Sequence, residues 1–101
     1  MTFKREEKDG CALLRIEGPM TVNEASALCL EMVECFNACD GLILDLNDVS
    51  ECDTAGIQLL CSARLTAQSR GKRFMVTSAS MSSIDTLARA GFDPDAILGP
   101  V

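Results

Sequence analysis

Apolar and polar positions change rhythm several times along this chain, and each change marks an element. Residues 2–6 read as a first strand with Phe3 as its anchor, and Lys8-Asp9-Gly10 supplies a hairpin turn, because Asp-Gly readily takes positive φ values. Residues 11–17 alternate: Ala12, Leu14 and Ile16 point one way, Cys11, Leu13, Arg15 and Glu17 the other. Gly18-Pro19 then predicts a break. Thr21-Val22-Asn23-Glu24 fits a capping box. Val22, Ala25, Leu28, Cys29, Met32, Val33 and Phe36 recur at three- and four-residue steps, which predicts a helix to about Asn37 with Glu24, Glu31 and Glu34 on its wet side.

Asp40-Gly41 closes that helix, and the short apolar run 42–46 reads as a buried strand. Asp53-Thr54-Ala55-Gly56 marks the passage from strand to helix. Asp is a favoured N-cap because its carboxylate accepts from the first unpaired amides, so Thr54 falls in the first turn near the positive end of the dipole. Ile57, Leu60, Cys61 and Leu65, broadened by Leu59 and Ala63, form the expected apolar stripe, with Gly71 as the left-handed terminator. Residues 73–77 read as a strand. Ser82 with Asp85 suggests a cap for a short helix ending at Gly91, with Met81, Ile84, Leu87 and Ala88 facing the core, and residues 96–98 read as a last strand. The predicted order is β-β-α-β-α-β-α-β. Helices between strands imply parallel pairing after an antiparallel hairpin, hence an α/β domain with a mixed, mostly parallel sheet over residues 1–101.

Composition narrows the function. The net charge of −6 sets the chain against nucleic acid and anionic membranes, and its nine cations look scattered. Tyr and Trp are absent, which removes the usual base-stacking platform. No apolar run approaches the roughly 20 residues of a bilayer span. The polar start at residues 1–8 is unlike a signal peptide, which predicts a cytoplasmic location. Without histidine there is no Ser-His or Cys-His dyad, so the chain reads as non-enzymatic, with no cofactor and no metal. The six cysteines, Cys11, Cys29, Cys35, Cys39, Cys52 and Cys61, contain no C-x-x-C pair and read as packing residues, with a thiol sensor as the remaining alternative. Asp45, Asp48 and Asp53 suggest an acidic pocket only superficially: Asp45 lies inside a strand, and no lysine follows the last strand to pair with an acyl phosphate.

Gly18, the strand 42–46, the Asp53-Thr54-Ala55-Gly56 turn, Gly71 before residues 74–77, and Ala90-Gly91-Phe92 together resemble the STAS domain of sulfate transporters and anti-sigma factor antagonists. The resemblance spans nearly the whole chain and implies a regulatory protein-binding module for a kinase- or phosphatase-type partner such as an anti-sigma, histidine-kinase-like ATPase. In that family the second residue after the Asp is the serine that the partner kinase phosphorylates; here it is Ala55, and Thr54 keeps a hydroxyl one position earlier. Thr54 is therefore the phosphorylation candidate, and Asp53, Thr54, Ala55, Gly56, Gln58 and Ser62 are the expected partner-binding residues. The Asp-Thr-Ala-Gly form also looks like STAS subunits of lipid-transport ABC systems, whose partner would be the ABC ATPase.

Overall fold

The computed structural model describes residues 2–91. Strands β1 (Thr2–Lys8) and β2 (Cys11–Met20) form the expected antiparallel hairpin, turned at Asp9 and Gly10 with φ of 52° and 80°. Helix α1 (Ala25–Ala38) carries the chain to β3 (Gly41–Leu46), parallel to β2. A short strand β4 (Val49–Cys52) follows, then α2 (Thr54–Arg70), β5 (Arg73–Ala79) parallel to β3, and α3 (Met81–Arg89). The sheet order is β1-β2-β3-β5, with β4 paired to β2, so the architecture is the mixed α/β sheet expected. The predicted strand at 96–98 lies outside the described residues.

Alternation decides which face is covered. Ala12, Leu14, Ile16, Leu42, Leu44, Leu46, Phe74 and Val76 are buried, whereas Leu13, Ile43 and Met75 between them are half-buried. Leu28, Met32, Cys35 and Phe36 of α1 and Ile57, Leu60, Ala63 and Ala67 of α2 join the first set in one core. Lys72 fastens the far end. Its ammonium donates to the carbonyls of Phe36 and of Cys39, placing a cation on the negative end of α1.

Several local expectations are corrected. Gly18-Pro19 does not end β2: the strand continues to Met20 through a register shift at that pair, where it meets β4 in parallel. Strand β4 escaped the sequence pattern because only Val49 of its four residues is buried. Helix α1 begins at Ala25. Thr21 gives both its amide and its hydroxyl to the Glu24 carboxylate, so half of the capping box forms as a turn ahead of the helix. The Thr21 hydroxyl bond is the main reason the Glu24 carboxyl titrates below its ordinary range. Val22, Val33 and Cys29 face outward rather than into the core. Ser80, not Ser82, caps α3 by accepting from the Ser83 amide. Met81 and Ala88 are exposed, which leaves Leu87 as the buried anchor of α3. Leu65 is 65% exposed, because the small residues Ala63 and Ala67 bring the opposite side of α2 onto the sheet.

The start of α2 is held by two contacts. One carboxylate oxygen of Asp53 accepts from the Gly56 amide at 3.2 Å, and the other accepts from the Val22 amide at 3.0 Å, which ties the first turn of α2 to the loop ahead of α1. Gly56 is buried, and a Cβ there would stand 2.5 Å from the Met20 carbonyl oxygen of β2. Gly56→Ala should therefore lose roughly 1–3 kcal/mol by overpacking, despite the better helix propensity of alanine. A urea midpoint equal to that of the native chain would refute this. Asp53→Ala should lose about 0.5–2 kcal/mol. Asp53→Asn, which keeps a capping oxygen but only one acceptor, should fall between; if it unfolds with the native chain, the Val22 bond adds nothing.

Candidate functional site

Where α2 begins, its side chains sort sharply by depth. Asp53 and Ala55 are half-buried and Gly56 is buried, whereas Thr54 is exposed. Gln58 and Ser62 are exposed as well. Steps of four residues place Thr54, Gln58 and Ser62 along one side of the helix. Cys61 and Leu65 join them, and with Ile57 and Ala90 they line a shallow recess between α2 and the end of α3. Three of the six expected binding residues thus form an outward ridge. The other three build the turn that holds it: the bareness of Gly56 is used by β2, and the carboxylate of Asp53 by two backbone amides.

A second recess opens beside the turn, bordered by Thr21, Glu51, Cys52, Asp53, Asp85 and Arg89. Its floor is knit by α3. Ser82 donates to the Val49 carbonyl at 3.1 Å, and Thr86 donates to the Cys52 carbonyl at 2.9 Å, which satisfies the backbone of β4 on its outer side. Burial, reinforced by the Asp53 charge, pushes the Cys52 thiol up to about 11. At neutral pH Cys52 therefore stays a protonated thiol, a poor nucleophile. Cys11, Cys35 and Cys39 are buried, and burial also raises Cys35; Cys61 is half-buried and Cys29 exposed, and all six are free.

The three aspartates do not converge. Asp45 is held by the Arg15 guanidinium at 3.2 Å and accepts from the Asn47 amide, Asp48 is exposed, and Asp53 caps α2. Among the described residues no three His, Cys, Asp or Glu side chains gather as a metal site. Among them, too, no helix is long and apolar enough to cross a membrane. What the site offers is shape: an exposed hydroxyl at a helix start, an uncharged ridge behind it, and a backbone fixed from two sides. The residue that sequence reasoning missed is Leu65. Its signal was ambiguous, because 57–61–65 and 56–60–63–67 are both apolar or small-residue stripes at helical spacing.

Comparison with known proteins supplies the family. No curated protein matches the sequence. A family model described as "Mlab, STAS domain" matches residues 3–99. Among similar solved structures is an anti-sigma factor antagonist from Mycobacterium paratuberculosis, 20% identical with a TM-score of 0.80, covering 99% of this chain and 86% of that one. The Bacillus cell fate determinant SpoIIAA in its phosphorylated form is 13% identical with a TM-score of 0.74, over 99% of this chain and 91% of that one. The STAS domain of a SulP transporter from Vibrio cholerae is 26% identical with a TM-score of 0.60, over 85% and 67% respectively. At 13% and 20% identity the first two show a shared fold. With the family model spanning nearly its whole length, and the glycine, strand and Asp-Thr-Ala-Gly turn in the places that model requires of a compact α/β domain, this chain belongs to the STAS family.

Proposed function

We propose that this chain is a non-enzymatic regulatory module that binds an ATPase-type protein partner through the start and outer ridge of α2. The observation that carries the reading is the exposed, uncharged line Thr54–Gln58–Ser62 on a helix whose first turn is immobilised by Asp53 and Gly56. A rigid, uncharged ridge costs little to desolvate and loses little side-chain freedom on docking. The likeness to anti-sigma factor antagonists supports a kinase- or phosphatase-type partner. Ala55 and the family description favour the second reading, an ABC ATPase subunit of the lipid-transport type, because Ala55 removes the hydroxyl that a kinase partner would modify.

Thr54 then serves as a standing contact. A phosphate on it would add about −1.5 to −2 charge beside Asp53 and Glu51, which opposes the modest welcome of the helix dipole. The test is calorimetry against the ATPase encoded beside the gene for this chain. Thr54→Glu should fold normally, since a carboxylate suits the helix start, yet lose binding by about tenfold or more, because an unpaired charge is expensive in an interface. Thr54→Ala should bind a few-fold more weakly if the hydroxyl is a contact, and like the native chain if phosphorylation is the trigger. Native binding by Thr54→Glu, or no binding by the native chain, would overturn the reading.

A further inference from the structure

The cations that look scattered along the chain are concentrated once helices and strands are assigned. Of the 15 acidic and nine basic residues, residues 54–84 hold four of the basic ones and none of the acidic ones. That stretch is α2, β5 and the first half of α3. The whole of α2 therefore lacks a carboxylate in a chain of net charge −6. Its start is nevertheless surrounded by acids from other elements: Glu51 and Asp53 just before it, and Asp85 across the recess from α3. Its far half carries Arg64 and Arg70, with Arg73 just beyond at the start of β5. The uncharged ridge thus runs from an acidic end to a basic one. The ends stand about 24 Å apart at 1.5 Å per residue, more than two Debye lengths at 0.1 M salt, so each meets a partner as a separate charge.

Local structure accounts for only part of the basic end. Lys72 is spent on the carbonyls that close α1, and Arg70 donates to Asn37 at 2.9 Å while serving the last turn of α2. Among the described residues Arg64 and Arg73 have no ion-pair or side-chain hydrogen-bond partner, whereas Lys4, Arg5 and Arg15 are all paired with carboxylates.

We propose that the partner docked on the α2 ridge bears an acidic patch that meets Arg64 and Arg70, so that the charge gradient along α2 sets the direction in which the partner lies on it. This rests on the docking reading above. A second copy of the chain is a poor occupant, because two molecules of charge −6 repel. An extended polyanion is poor for another reason: its phosphates would continue past the basic end onto Glu51, Asp53 and Asp85. A compact cluster of carboxylates beside an apolar contact for Leu65 fits both halves of the ridge.

The experiment uses the full chain and the neighbouring ATPase. Arg64→Glu with Arg70→Glu should weaken binding at least about tenfold, mostly through the association rate, and flatten its salt dependence. Lys4→Glu with Lys8→Glu makes the same charge change at β1 and should leave binding within about twofold. Folding of each variant is checked by circular dichroism. In a second arm, Arg64→Lys and Arg70→Lys retain the charge and introduce amines. A carbodiimide should couple those amines to aspartate or glutamate of the ATPase, located by mass spectrometry. Equal weakening by both charge reversals, or native binding by the α2 pair with no cross-link, overturns the proposal. In either case loss of binding by Thr54→Glu would leave the docking reading intact. If the native chain does not bind the ATPase at all, both fall together.

Discussion

The close approach of α2 to the end of β2 is the constraint from which the rest of this structure is arranged. Only a residue without a Cβ lets the first turn of α2 lie against the Met20 carbonyl. That contact exists because β2 runs on past Gly18 and Pro19 to reach it, with β4 paired alongside. Asp53 then uses both carboxylate oxygens at the same spot, one on its own helix and one on the loop before α1. Strand end, helix start and loop are bound into one unit, and the exposed Thr54 inherits that rigidity.

The interior explains why the ridge faces outward. Helix α2 has two stripes at helical spacing, and burying either would cover apolar surface. The stripe of Gly56, Leu60, Ala63 and Ala67 wins because small residues let the helix axis approach the sheet, where Ile57 and Leu60 reach the core formed by Leu14, Leu44 and Val76. Close packing of many small contacts outweighs the burial of one further leucine. The cost is an exposed Leu65, and that cost places an apolar side chain beside Gln58 and Ser62. Packing within the domain thus generates the surface that a partner meets.

Electrostatics divides the molecule along the same helix. The carboxylates that serve structure are at the start of α2 or in the strands: Asp53 as a cap, Asp45 paired with Arg15, Glu24 held by Thr21. The cations collect past its middle. None of the cysteines is needed for this arrangement as a ligand or a cross-link; three fill the core, and Cys52 is buried enough to keep its proton.

The sequence by itself determined the elements whose signals are local. Asp9-Gly10 dictates the hairpin, since few other pairs accept two positive φ values, and Asp53 and Gly71 bound α2 at the residues where it begins and ends. The strict alternation of Ala12, Leu14 and Ile16 names a buried face without reference to any partner strand. Tertiary structure decided whatever depends on a neighbour. Strand β4 exists because β2 offers it a free edge, and its own four residues carry too little apolar pattern to announce it. The outward turn of Val33, Cys29, Leu65 and Met81 follows from how closely each helix sits on its neighbours, a distance that helical periodicity does not contain. Even the use of Gly56 was a matter for the fold: a missing side chain says that something comes close, and only the folded chain shows that it is the chain's own β2.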